Sequence, residues 1–148
     1  MKQATIPTKR NKLNSLTTLH HVPLLAACSK KNLRRIVAVG DEVSFKPGQT
    51  LIEEGQIGRE AFIILKGVAS IRRGGKRIAS VGAGSMVGEL ALLDNGPRTA
   101  SVVCDTEVDA LVINQRHFHE ILRKVPALTQ KLLTNLASRV RELDRALY

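Results

Sequence analysis

Two charged residues, Glu89 and Arg98, stand nine positions apart in the stretch VGELALLDNGPRTASV, residues 87–102, which is otherwise dominated by small and apolar side chains. A guanidinium is a planar fork of donors that matches two oxygens of one anion, and a phosphate fits that fork better than a simple carboxylate does. Gly88 precedes the acid and Pro97 precedes the arginine, so the backbone is constrained where a ligand would approach. Gly88 to Leu93 has room for a turn or two of helix, whose first N–H groups are free donors that favour an anion. Glu89 would repel that anion if it faced it, and is therefore expected to turn toward a hydroxyl donor such as a ribose 2′-OH. The bland alternative is a surface ion pair between Glu89 and Arg98, an interaction worth little.

One anionic phosphodiester beside one free sugar hydroxyl describes a cyclic nucleotide. Other chemistries are weaker in this sequence. His117-Phe118-His119 would share a face on a strand and could then be a pair of metal ligands, but Asn114-Gln115-Arg116 reads as a turn and Glu120 to Lys124 continues as helix, where positions two apart diverge. His20-His21 lies outside the strand-rich region. No serine or cysteine nucleophile with a histidine partner stands out, so neither catalysis nor a metal or cofactor is expected. Cys28 and Cys104 lack metal-ligand spacing and read as small apolar residues.

A chain of 148 residues with 43% hydrophobic content suffices for one buried core. No run is long enough to span a bilayer and no secretory leader is visible, which predicts a cytoplasmic protein whose two cysteines stay reduced. The net charge of +10 is uneven: residues 1–40 hold Lys2, Lys9, Arg10, Lys12, Lys30, Lys31, Arg34 and Arg35 and no acid, while the remainder is nearly balanced. Such a segment suits an acidic partner, nucleic acid or an anionic surface, or is simply a solvated tail followed by a helix with a basic outer face. With 3% aromatic residues, no tryptophan and no second helical domain, a nucleic-acid reader is disfavoured, and no DNA-binding domain is expected in this chain.

The elements that must hold Glu89 and Arg98 follow from periodicity. Residues 1–18 read as a basic flexible arm, and Val22 to Val37 as one or two short helices with Ser29 capping the stretch from Lys30. Short apolar runs at Thr50–Glu53, Ala61–Leu65, Val68–Arg72, Arg77–Val81, Ala100–Cys104 and Ala110–Ile113 are punctuated by glycine. That texture, over about residues 43–113, predicts a mainly β fold with flanking helices, an antiparallel β-roll of jelly-roll or double-stranded β-helix type. Arg73-Gly74-Gly75-Lys76 reads as a hairpin tip. Helices are expected over about 115–147, broken at Pro126, the long C-terminal one carrying Leu128, Leu132, Leu136, Val140, Leu143 and Leu147 on one stripe. The stripe can pack on the roll or against a second copy in a homodimer.

Gly84-Ser85-Met86-Val87-Gly88-Glu89-Leu90-Ala91-Leu92-Leu93 with Pro97-Arg98-Thr99-Ala100-Ser101-Val102 resembles the phosphate-binding cassette of the cyclic nucleotide-binding domain family, which includes the bacterial catabolite activator protein and the regulatory subunits of cyclic-nucleotide-dependent kinases. Phe45, Gly48, Leu51, Gly55, Phe62-Ile63-Ile64 and Gly67-Val68 extend the likeness, so that residues 19–148 would form one such domain. The resemblance implies that Glu89 accepts from the ribose 2′-OH, while Arg98 and the N–H groups of Leu90, Ala91 and Thr99 take the phosphate beside Gly88. Counting from Pro126 as the family does puts Leu143 and Asp144 near the base, and Tyr148 is the one aromatic available to stack on it. Asp144 accepting from a 6-amino group favours cAMP, and Thr99 after the arginine points instead toward cGMP. The expected role is a sensor that passes nucleotide binding through its C-terminal helix to a protein partner or linked effector. A non-binding interaction module of the same fold is the alternative.

Overall fold

The structure, a computed structural model, describes residues 12–147. Helix α1 (Lys12–His21), a 3-10 turn (Pro23–Leu25) and α2 (Lys30–Val39) lead into the strands β1 (Asp41–Phe45), β2 (Thr50–Ile52), β3 (Glu60–Lys66), β4 (Ala69–Arg73), β5 (Lys76–Val81) and β6 (Met86–Val87). The short helix α3 (Glu89–Asp94) separates these from β7 (Ser101–Cys104) and β8 (Val108–Asn114), after which α4 (Gln115–Lys124) and α5 (Pro126–Leu147) complete the fold. The strands form two four-stranded sheets, ordered β1-β8-β3-β6 and β2-β7-β4-β5, with every pairing antiparallel. This is the expected β-roll with flanking helices. Arg73 and Lys76 pair across the Gly74-Gly75 tip, as the glycine pair predicts.

The central strands β3 and β8 are buried on both faces, which explains why they read as unbroken apolar runs instead of alternating ones. Phe62, Ile64, Val108, Ala110 and Val112 point into the roll, against Phe45, Leu51, Val87, Val102 and Cys104. Ala61, Ile63, Leu111 and Ile113 point the other way, into a second core built with Leu19, Leu25, Leu33, Ile36, Phe118 and Leu128 from the helices. One sheet therefore joins the helices to the roll. Phe45 and Phe62 meet edge to face at 6.2 Å within the roll.

Capping chemistry sets the helix starts. The Ser29 hydroxyl accepts from Asn32 N at 3.2 Å, and the Asn114 side chain accepts from His117 N at 2.9 Å. Asn114-Gln115-Arg116, expected as a turn, is thus the cap and first turn of α4. At the other end of the chain, residues 12–18, expected to belong to a loose arm, are helical instead: α1 begins at Lys12 and buries Leu19 completely, with Leu16 packed beside it. Lys2, Lys9 and Arg10 of that arm, and Tyr148, lie outside the described residues.

The stripe on α5 splits into two halves. Leu128 and Leu132 are buried and Leu136 packs against the same core, whereas Val140, Leu143 and Leu147 are 63%, 66% and 79% exposed.

Candidate functional site

The site is built where β6 turns into α3. Gly88 has φ of 86°, a left-handed conformation open to glycine, and a side chain there would also collide: a Cβ would stand 2.6 Å from Arg98 Nη1 and 2.8 Å from Ile52 Cδ1. The chain therefore needs glycine here for both its turn and its contact with Arg98. Immediately after it, Glu89 opens α3, whose first-turn N–H groups have no partner within the helix.

Arg98 is fixed by its backbone and by its side chain. Its N–H donates to Gln56 O at 2.7 Å and its carbonyl accepts from Gly55 N at 2.8 Å, with Pro97 bridging to Ile57 beside it. The guanidinium is buried beneath Gly58, where a Cβ would lie 2.8 Å from Arg98 Cζ. Its Nη1 donates to Gly88 O at 2.7 Å and its Nη2 to Glu60 O at 2.5 Å. The arginine thus ties β3 to the start of α3, leaving other N–H groups of the same fork for the cavity it lines. Burial lowers its pKa, and the Glu89 charge acts against that shift.

The Glu89 side chain is only 12% exposed. Burial raises its pKa, an effect opposed by its own backbone N–H and by the charges of Arg139 and Arg98. The direct partner is not Arg98 but Arg139 of α5, whose Nη2 lies 3.9 Å from Glu89 Oε1. The simple surface pair between Glu89 and Arg98 is therefore not what forms.

Gly88, Glu89, Leu90, Ala91, Arg98 and Thr99 all line one cavity of about 500 Å³, together with Ile71, Arg73 and Arg139. A second cavity, of about 560 Å³, runs between the roll, Pro23–Leu24 and α5, and shares Ile71, Met86, Val87, Glu89, Leu90 and Arg139 with the first. The two behave as lobes of one cleft. One holds a buried cation and an acid at its rim; the other is walled by Val22, Leu24, Leu132 and Leu136. A volume of this order suits a small organic ligand with a charged end and an apolar end. Arg73, Arg98 and Arg139 outnumber Glu89 and Asp94 along the first lobe, which favours an anion.

Leu143 and Asp144 are not among the lining residues of either lobe, and both are exposed. Along α5 the cleft is lined by Leu132, Asn135, Leu136 and Arg139, and Leu143 lies one turn, roughly 6 Å, further along the axis than Arg139. Arg139 is the residue that sequence reasoning missed. It sits four positions before Leu143 on the same side of the helix, but it is not one of the apolar stripe residues that periodicity picks out. Gly58 and the carbonyl of Glu60, which seat Arg98, carried no visible signal.

At the far end of α3, α4 takes over the exposed carbonyls. Gln115 Nε2 donates to Leu92 O at 3.3 Å and to Asn95 Oδ1, and His119 Nε2 lies 2.9 Å from the same Leu92 oxygen. His117 and His119 therefore diverge on a helix; the first has a buried Nδ1 with no partner among the described residues. Among the described residues no group of three or more His, Cys, Asp or Glu side chains is placed to hold a metal ion, and no helix is long and apolar enough to cross a membrane. Burial and the neighbouring Asp105 push the Cys104 thiol up to about 11.

Residues 42–125 match the cyclic nucleotide-binding domain. The hyperpolarization-activated cyclic nucleotide-gated channel 3 of Mus musculus is 30% identical over 125 residues, 84% of this chain and 16% of the channel. A cAMP-dependent protein kinase regulatory subunit from Hypocrea atroviridis is 29% identical over 113 residues, 76% of this chain and 24% of that subunit. The chain thus spans about a sixth to a quarter of these relatives. The catabolite activator protein of Thermus thermophilus superposes with a TM-score of 0.78 at 25% identity, covering 84% of this chain and 61% of that one.

Proposed function

Because the chain belongs to the cyclic nucleotide-binding domain family, we propose that its cleft takes a 3′,5′-cyclic nucleotide, cAMP ahead of cGMP, and that occupancy is relayed through α5. The observation that carries the proposal is the seating of Glu89 and Arg98 in one cavity that α5 closes with Arg139. Glu89, held largely out of water, accepts from the ribose hydroxyl; Arg98, with the N–H groups of Leu90, Ala91 and Thr99, takes the phosphate. The base enters the lobe between the roll and α5. There Asn135 and Leu136 meet it, in place of the pair Leu143 and Asp144.

Relatives whose names describe a cyclic nucleotide-gated channel and a cAMP-dependent kinase regulatory subunit support a sensor acting on a linked or separate protein; a cytoplasmic setting and the lack of a reaction of its own are parts of the same proposal. A second reading, a domain kept for protein contacts without a ligand, draws on one observation. Arg98 already donates to Gly88 O and Glu60 O, so the fold uses it whether or not a phosphate binds.

Calorimetry with cAMP and cGMP, on this chain and on Arg98→Ala, separates the readings. Loss of a bidentate, charge-assisted contact should weaken cAMP binding by about a hundredfold or more. Unchanged affinity would end the phosphate assignment, and no heat with either nucleotide would favour the second reading.

A further inference from the structure

A cavity of about 390 Å³ separates α1 from α2 on the N-terminal side of the protein. Leu16 and Leu33 give it an apolar floor, and His20, His21, Lys30 and Arg34 surround them. Lys30 and Arg34 are exposed, as are Lys31 and Arg35, which continue the same basic surface along α2.

This charge arrangement works against the helix that carries it. Lys30 and Lys31 occupy the first turn of α2, where the helix dipole favours acids and none is present. Lys30 and Arg34, like Lys31 and Arg35, are like charges four apart, a spacing that lowers helix stability. Relief from a neighbouring acid is missing too. The first forty residues contain no Asp or Glu, and none of the four cations has an ion pair among the described residues.

An unrelieved basic rim over a small apolar floor calls for a partner of opposite charge with an apolar anchor. We propose that the groove between α1 and α2 docks an acidic, amphipathic peptide segment of another protein, its leucine-like side chain on Leu16 and Leu33 and its carboxylates on Lys30 and Arg34. A duplex nucleic acid suits the groove less well, since a cavity of this size takes side chains and offers no stacking ring beyond the histidines. An anionic membrane suits it less well too, because among the residues whose exposure is described no large exposed apolar side chain belongs to α1 or α2. The proposal does not depend on the nucleotide reading, and its test needs no nucleotide.

The probe is a fluorescein-labelled peptide of about fifteen residues, with two leucines one helical turn apart among glutamates, titrated against the full chain by anisotropy. Salt-sensitive binding is expected, weakened about tenfold or more by Lys30→Glu/Arg34→Glu and unaffected by Lys76→Glu on the distant hairpin. The reversed variant should instead gain affinity for a leucine/lysine peptide of the same length. Acids at the start of α2 suit the helix dipole, so this variant should fold, and circular dichroism melting checks it; Lys30→Gln/Arg34→Gln gives the same readout without reversed charge. Equal binding by parent and reversed variant, equal binding of an all-glutamate peptide, or tighter binding to duplex DNA or phosphatidylserine vesicles would overturn the proposal.

Discussion

Arg139 of α5 and Glu89 of α3 meet across the cleft, Nη2 to Oε1 at 3.9 Å. They are unequal partners, the arginine side chain 58% exposed and the carboxylate 12%. The contact is long and the cation is well solvated, so it holds the terminal helix over the cleft weakly enough for a ligand to compete. Arg139→Gln should therefore change urea stability by less than about 1 kcal/mol. The same variant should weaken the link between nucleotide binding and α5, read as reduced nucleotide-dependent amide protection in that helix.

Glu89 supplies a pH prediction. Burial raises its pKa above the ordinary 4.5, so the folded chain holds this proton where the unfolded chain has released it. Keeping Glu89 ionised thus costs stability, a cost absent below about pH 4.5 and complete above the raised value. Glu89→Gln should melt higher than the parent at pH 7, with the difference vanishing in acid. Its cAMP affinity should fall by about tenfold or more, because a charge-assisted acceptor is lost. Calorimetric melts across that pH range, together with titration at pH 7, check both halves.

Arg98 is structural as well as electrostatic. Removing its side chain leaves Gly88 O and Glu60 O, both facing a buried guanidinium, without their donor. Arg98→Ala should cost roughly 2–4 kcal/mol in urea unfolding, with an unchanged denaturant slope. Arg98→Lys keeps the charge but not the fork, and should recover less than half of that loss. A lysine variant as stable as the parent would show that the two carbonyls need only a positive charge.

How much of this was legible in the sequence depended on whether the signal was local. Ser29 before α2, Gly74-Gly75 at the hairpin and Gly88 ahead of α3 are local signatures, and each marks the helix start or turn that forms in its own few residues. β6 has two residues and β1 no clear alternation, so both became visible only through pairing with distant strands. The start of α1 was hidden for a related reason: Leu16 and Leu19 gain meaning from the core they complete, not from their neighbours. Glu89 and Arg98 were found because the residues around them restrict the backbone. Arg139 was not, since its contact with Glu89 spans fifty positions and depends on the angle at which α5 crosses the roll.

The two halves of α5 differ in what holds them. Leu132 is 6% exposed, in the core shared with the roll, and Leu132→Ala should cost about 2–4 kcal/mol through the cavity it leaves. Leu143 is 66% exposed, and Leu143→Ala should stay within about 0.5 kcal/mol of the parent in the free chain. Beyond Arg139 the helix has its own hydrogen bonds but little packing, so its amides should exchange early, while those near Leu132 follow global unfolding. Saturating cAMP should slow exchange in the distal half, because a ligand bridging Glu89 and α5 stabilises the closed arrangement by the free energy of its differential contacts. Equal exchange of residues 140–147 with and without cAMP, at a concentration where calorimetry shows the cleft filled, would leave binding intact but rule out α5 as the relay.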